Sequence, residues 1–329
     1  MKTPEIIRLM PQQWRGRPVS PRAFALMAAP GAAAWGVAED DVLAAAMQTK
    51  PDTDGLAIPL LFVPDGPFGQ DLADRLLHIA REQLRMERRG KLTAPNTPDT
   101  AAALERAGFH LEGGRWALSL PRPVPIRPQE VVIRPETPAD HDAADHMVMR
   151  SFYNRYVPGC SEHLLTHRMR TDPDYVPSLS RVAEMDGVIA GGIWYAQARL
   201  AGHGETWPVL LFGPLSVAPE YQRRGLGAML VSQTLPLARE AGWPGVVIMG
   251  DPAYYHRFGF RHAAQHGITL ADGSCPQALM SIAFGTAALC KPGAVFVEPR
   301  VFQNLTDEDA RAFDLRFPPM PRFWLPCQF

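Results

Sequence analysis

Cysteine is scarce. Cys160, Cys275, Cys290 and Cys327 are the only four in the chain, far apart, with no CxxC pair and no histidine at metal-ligand spacing. This excludes a disulfide framework and leaves reduced thiols, as in a reducing cytosol. An excess of charge of one sign is missing too. Lys plus Arg number 33 and Asp plus Glu 34, a net charge of −1. The chain carries no electrostatic footprint for nucleic acid or an anionic membrane, so any anion it holds is gripped by a local site. No apolar run approaches the roughly 20 residues of a membrane helix. The first residues carry Glu5 and Arg8 and then turn polar at Pro11, Gln12 and Gln13, unlike a secretory signal. A cytoplasmic protein is the expectation. What is present is an ordinary globular balance, 46% hydrophobic and 20% charged, over 329 residues, enough for about two domains.

Proline is abundant, and it punctuates. Leu120 to Pro128 reads LPRPVPIRP, with prolines at 121, 123, 125 and 128. Such a run is extended and cannot continue a helix. It divides the chain into domains 1–128 and 129–329. The second begins with a strand, Val131 to Arg134, and a helix from 138 to 152 capped at Thr137. Asp186-Gly187 marks a tight hairpin between 181 and 194. Val209 to Val217 reads as a buried strand, and Gly213-Pro214 in its middle requires a bulge or broken pairing. A helix from Gly225 to about Ala241, a strand Gly245 to Met249 and a short helix from Ala253 to Arg257 follow. The order is α/β, of the α+β type.

Four segments of the first half echo the second in the same order. Residues 37–46 resemble 182–192, 60–63 resemble 214–217, 80–82 resemble 238–240, and 106–109 resemble 257–260, at offsets of 145–146, 154, 158 and 151. Chance explains any one of these; four in order point to a tandem architecture. The offset grows by four after the second echo, so the first copy lacks about four residues there.

That interval holds the chemistry of the second copy. In Leu215-Ser-Val217-Ala-Pro-Glu-Tyr-Gln222-Arg223-Arg224-Gly225-Leu226-Gly227-Ala228 a strand ends, the chain turns, and a helix starts at the glycines. The first N–H groups of a helix have no intrahelical partner, and with the helix dipole they favour phosphate oxygens. Gly225 and Gly227 permit close backbone approach, Gln222 can hydrogen-bond, and Arg223 and Arg224 add charge. The pattern is neither a Walker loop, lacking GK[ST], nor a dinucleotide fingerprint, since Leu230 stands at the last glycine. By itself it remains open between a phosphate site and an ordinary helix start.

Gln222 to Gly227 matches the [QR]xxGx[GA] motif, and Gly250-Asp-Pro-Ala-Tyr254-Tyr255-His-Arg-Phe-Gly259-Phe260 resembles a second signature, of the GNAT acetyltransferases. With GPLxVxP upstream, the chain is similar over residues 131–300 to a bacterial subgroup of that superfamily. The resemblance implies tandem GNAT folds, each a mixed, mostly antiparallel twisted sheet splayed at its central strand and flanked by helices. It implies acetyl-CoA as cosubstrate and no metal. Backbone N–H groups of Arg224, Gly225, Leu226, Gly227 and Ala228, with Arg223 and Gln222, would hold the CoA pyrophosphate. Val217 would pair with the pantetheine arm, and the Leu215 N–H would polarise the thioester carbonyl. Tyr255, five residues before Phe260, would protonate the leaving thiolate. The competing reading makes Tyr254 and Tyr255 core aromatics, and spacing selects Tyr254 as the packed one.

No carboxylate or histidine lies on 209–217, where many relatives carry a general base. Glu162, His163, Glu184 and Asp251 are the alternatives, or water alone. In the first copy Val63-Pro64-Asp65-Gly66-Pro67-Phe68-Gly69 stands in for the loop. It has no Gln or Arg, Pro67 lacks an N–H, Asp65 repels phosphate, and Leu104 replaces the tyrosine. This half reads as a degenerate GNAT-like domain that covers the acceptor site or dimerises. Phe313, Phe317, Phe323, Trp324 and Phe329 are too apolar for a free tail and should dock on one domain. The implied function is acetyl transfer to a primary amine of a small molecule or peptide, by direct attack in a ternary complex. A non-catalytic acyl-CoA-binding module on the same fold is the alternative.

Overall fold

The computed structural model describes residues 6–9, 32–39, 42–53, 55–64, 66–285, 289, 293–326 and 328. Two compact units result. The first holds Met1–Arg122 with Tyr153–Gly159 and Pro321–Phe329; the second holds Pro123–Phe152 with Cys160–Met320. The proline-rich segment thus begins the second unit, and two later stretches of chain return to the first.

In the first unit the chain runs β1 (Ile7–Arg8), β2 (Ala33–Glu39), β3 (Val42–Asp52), β4 (Gly55–Phe62), α1 (Gly66–Met86), β5 (Lys91–Pro95), α2 (Pro98–Arg106), β6 (His110–Glu112) and β7 (Arg115–Ser119). Among the described residues these strands form one sheet in the order β1-β2-β3-β4-β5-β7-β6. Only β4 and β5 pair in parallel, and α1 is the crossover that parallel pairing demands. Leu72, Leu76, Leu77, Ile79, Ala80 and Leu84 of α1 recur every three or four residues and are buried. They close on Trp35, Met47, Leu56 and Ile58, all without exposure.

The returning stretches complete this core. Phe323 and Leu325 are buried in it, and the Trp35 indole N–H donates to the Trp324 carbonyl at 2.7 Å. Asn154, at φ 58°, holds the last segment. Its Oδ1 accepts from the Gly159 and Phe323 N–H groups at 2.9 and 3.2 Å, and its Nδ2 donates to the Pro321 carbonyl at 2.9 Å. The Gln328 amide donates to the Asn154 backbone carbonyl at 2.8 Å. The aromatic end of the chain is docked, but not on one unit as expected: Phe323 and Trp324 pack in the first, whereas Phe313 and Phe317 pack with Leu164 in the second. Phe329 lies outside the described residues, as do Asp65, Cys290 and Cys327.

In the second unit the elements are β8 (Val132–Pro135), α3 (His141–Phe152), α4 (Glu162–Met169), β9 (Arg181–Met185), β10 (Val188–Gly202), β11 (Glu205–Val217), α5 (Leu226–Glu240), β12 (Gly245–Met249), α6 (Pro252–Tyr255), β13 (Arg261–His262), β14 (Ile268–Thr269), β15 (Leu279–Ala283), β16 (Ala294–Val297), α7 (Arg300–Gln303) and α8 (Asp307–Asp314). The helix expected from residue 138 opens with a 3₁₀ turn, Pro138–Asp140. There the Asp140 carboxylate accepts from the Thr137 N–H and hydroxyl at 2.8 and 2.7 Å, and Arg134 clamps it. Asp186 and Gly187 turn the hairpin at φ 49° and 78°, the geometry of a two-residue primed turn.

Strand for strand, β8-β9-β10-β11-β12-β15-β13 repeats the connectivity of the first sheet. The parallel β4–β5 pair Leu56↔Leu92 recurs as Leu210↔Val246 between β11 and β12. The tandem architecture read from four weak echoes is real at the level of topology. The second unit adds β16, paired to the far half of β10, and β14 beside it.

Candidate active site

The site begins with a strand that leaves its neighbour. β11 meets β12 at one ladder pair, Leu210↔Val246, and continues to Val217 without β12. On its other side it follows β10, with Ile193↔Leu215 and Tyr195↔Phe212 in register. Gly213 and Pro214 therefore stand together opposite Trp194, the bulge their sequence requires. Their peptide bond is cis. The Ala218 N–H bonds the Ala190 carbonyl at 2.9 Å. By the alternation of an antiparallel strand, Val217 and Leu215 turn their N–H and C=O groups to the opposite, splayed edge. Val217's carbonyl there is taken by the Gln222 side-chain amide and the Ser151 hydroxyl, each at 2.9 Å. What it has left to offer is its N–H.

The loop after β11 is wound for an anion. Gln222 is extended, Arg223 is left-handed at φ 60°, and Gly225 takes φ 97°, a value L side chains avoid. Helix α5 then starts, its first bond running from the Met229 N–H to the Gly225 carbonyl at 3.1 Å. The N–H groups of Gly225, Leu226, Gly227 and Ala228 have no acceptor among the described residues. The two arginines differ. Arg223 is exposed and has no partner among the described residues. Arg224 is tied to the proline-rich segment: its Nε donates to the Val124 carbonyl at 2.8 Å, and its own carbonyl accepts from the Ile126 N–H at 2.8 Å.

Asp251 caps α6 by accepting from the Ala253 N–H at 2.9 Å, and the short helix carries both tyrosines. Both rings are half-buried. Tyr255 lies among Phe212 of β11, Phe258 and Phe260, with ring centroids 5.9, 6.4 and 5.7 Å away. It is packed at the splay, against the strand that carries Leu215. Tyr254 reaches the loop instead: its hydroxyl lies 2.8 Å from where a Cβ on Gly227 would stand. Burial pushes its phenol up, opposed by the Arg257 guanidinium over its face. Packing therefore does not single out Tyr254, as spacing had selected; Tyr255 is the one set among core aromatics.

The four alternatives for a proton acceptor are otherwise engaged. Glu184 pairs with Arg134 at 2.8 Å. Glu162 accepts from the Ser161 N–H at 3.0 Å. Asp251 is the cap, and His163 is fully buried between a cysteine and an aspartate. Sequence reasoning missed Glu298, which follows β16. Extending the β10–β16 register past Arg199↔Val297 sets it beside Ala198. It then leads into α7, whose Phe302 ring lies 3.4 Å from where a Cβ on Gly213 would stand. Burial holds the Glu298 carboxyl above the ordinary range, and no cation or donor partners it among the described residues. Nothing in the sequence around Glu298 flagged it, because β16 is joined to the site only through pairing with β10.

The corresponding connection in the first unit is shorter. Residues 63–65 connect β4 to α1, where 218–225 connect β11 to α5. The Pro64 carbonyl occupies the spot where a Cβ on Gly69, in the first turn of α1, would go.

Residues 132–263 match the family model for the acetyltransferase (GNAT) domain. The uncharacterized N-acetyltransferase YhbS of Escherichia coli K12 is 34% identical over 139 residues, which is 42% of this chain and 78% of that protein. Among solved structures, YhbS of Escherichia coli in complex with CoA is 28% identical with a TM-score of 0.47, over 54% of this chain and 94% of that one. A GNAT acetyltransferase of Brucella melitensis in complex with acetyl-CoA is 26% identical with a TM-score of 0.42, over 52% and 97%. A splayed central strand, an anion-ready loop at its end and a relative this similar over most of its length agree: the chain belongs to the GNAT family of acetyltransferases.

Proposed function

We propose that the protein transfers an acetyl group from acetyl-CoA to a primary amine, by direct attack within a ternary complex in its second unit. The observation that carries this reading is the loop 222–228, with four unpaired N–H groups at the mouth of the splay between β11 and β12. Those N–H groups and Arg223 would take the pyrophosphate. Gln222 and Arg224 act by fixing the loop, the first to Val217 and the second to the proline-rich segment. The N–H of Val217 would bind the pantetheine as an added strand would. The N–H of Leu215 would hold the thioester oxygen as it becomes an oxyanion. Tyr255, beside Phe212, would return a proton to the thiolate. Glu298 supplies the carboxylate that β11 lacks, accepting the ammonium proton directly or through water.

The first unit is, in this reading, a degenerate copy without a CoA site, because its shorter connection has no Gln or Arg and its Pro67 lacks an N–H. The decisive experiment is CoA release from acetyl-CoA over a panel of primary amines, with mass spectrometry of the acetylated product and calorimetry of the free protein. One acetyl-CoA per chain with turnover is expected. Tight binding without turnover on any amine establishes the alternative, a non-catalytic acyl-CoA-binding module. Two sites per chain refute the degenerate copy.

A further inference from the structure

Away from the CoA loop, three chemically active side chains stand in line. Cys160 lies just before α4, whose N-cap is Ser161; its Sγ is 3.4 Å from Nδ1 of His163 and 3.8 Å from the Met149 carbonyl, to which the thiol can also donate. The other ring nitrogen, Nε2, is at ion-pair distance, 2.9 Å, from a carboxylate oxygen of Asp314 at the end of α8, though the two are not aligned as a hydrogen bond. His163 is fully buried, with Phe313 and Phe317 rings at 5.2 and 6.0 Å, and Cys160 is 5% exposed. The imidazole bridges the other two, so the three do not converge on one point as metal ligands would.

We propose that Cys160, His163 and Asp314 form a thiol–imidazole–carboxylate relay that makes Cys160 a site of oxidation by small uncharged hydroperoxides. Nδ1 of His163 takes the Sγ proton, and Asp314 neutralises the imidazolium that results. The N-terminus of α4 adds its partial positive charge at the sulfur, the setting in which a thiolate is stabilised. The thiolate then attacks one oxygen of the hydroperoxide. An S–O bond forms, the O–O bond breaks, and the departing oxygen takes the proton held by the imidazolium. Sulfur loses two electrons and becomes a sulfenic acid; the hydroperoxide gains two and leaves as water or an alcohol. The near-complete burial of Cys160 restricts the oxidant to something little larger than water.

Cys275 is the contrast within the same chain. It is more open, and its sulfur too lies 3.4 Å from a histidine, His262. That ring nitrogen, however, faces the carbonyls of Cys275 and Pro276, both at 3.2 Å. It must carry its proton to donate there, so it cannot take one from the thiol. No carboxylate backs His262 among the described residues. If His163 and Asp314 merely tie α8 to α4, Cys160 is an inert buried thiol and the more exposed Cys275 reacts first.

The test is treatment of the full chain with hydrogen peroxide, timed quenching into denaturant that contains dimedone so that a buried sulfenic acid is trapped as the chain unfolds, and peptide mass spectrometry with Cys275 as internal reference. Cys160 should be labelled at least about tenfold faster than Cys275, the effect of a single unit of thiol acidity. Asp314→Asn should slow Cys160 by about the same factor and leave Cys275 unchanged. His163→Gln gives the same readout if Asp314→Asn fails to fold, and the comparison of the two thiols in the native chain stands without either variant. Labelling of Cys160 no faster than Cys275, or equal in native and variant chains, overturns the proposal.

Discussion

Gly225 and Gly227 are both glycines of one loop, yet the structure gives them different reasons to be glycine, and alanine at each should separate the two. At Gly225 a methyl group meets nothing within 4 Å, but φ is 97°. The cost of Gly225→Ala is therefore conformational, about 1–2 kcal/mol, a factor of about 5–30 in an equilibrium. It should fall on stability and on CoA affinity alike, because the loop itself is wound less readily. At Gly227 the backbone is already helical, and alanine there gains up to about 1 kcal/mol of helix propensity. The added carbon meets the Tyr254 hydroxyl at 2.8 Å, the end of a side chain that can swing aside. Stability should thus stay near that of the native chain. The methyl, however, stands on the first turn of α5 between Tyr254 and Val217, where a phosphate held by the loop would approach. Losing one charge-assisted hydrogen bond costs about 1.5–3 kcal/mol, or roughly 10- to 150-fold in CoA affinity. Calorimetric titration with CoA beside urea denaturation of both variants makes the comparison. Adding Tyr254→Phe to Gly227→Ala should relieve the collision without restoring affinity. If Gly227→Ala binds CoA as the native chain does, no anion approaches α5 at that point and the loop assignment falls.

Tyr255→Phe should lower kcat by about 10²–10⁴-fold with little change in acetyl-CoA affinity, and Tyr254→Phe should be milder; steady-state kinetics showing the reverse order would move the acid to Tyr254. Glu298→Gln tests a carboxyl raised by burial. Folding favours its protonated form, so its charge weakens the fold above the unfolded value of about 4.3, and the cost is absent below it. The variant should melt higher than the native chain at pH 7, equally at pH 3, and turn over about 10²-fold or more slowly; unchanged turnover removes Glu298 from the reaction. Phe323→Ala and Leu325→Ala should cost about 3–5 and 2–5 kcal/mol in urea denaturation, and a loss under about 1 kcal/mol would contradict their burial in the first core.

Much of the second unit was legible because its signals are local. Asp186-Gly187, Gly213-Pro214 and Gly225 each dictate backbone geometry within a few residues, and each is found doing so. The loop and the strand before it were readable for that reason. Glu298 was not, since its place depends on which strand pairs with the far half of β10. Cys160 and His163 stand only three residues apart, yet they read as unrelated because Asp314, which completes the line, comes from α8. The repeat was readable from order and spacing, where residue identity had decayed. The division of the chain followed sequence order and set the final aromatic segment with its sequence neighbours; which core takes Phe323 and Leu325 is decided by packing against Trp35 and α1, information no short window contains.

The first unit is assembled from three separate pieces of chain, the last of which contributes Phe323 and Leu325 to its core. On a ribosome, β1 to β7 emerge long before those two side chains exist. The first unit must wait with an open apolar face while the whole second unit is made and folds, so the order of completion is the reverse of the order of synthesis. The two copies are consequently not beads that can be cut apart at the proline-rich segment. A fragment ending there would lack part of its own interior, the part that Phe323 and Leu325 supply.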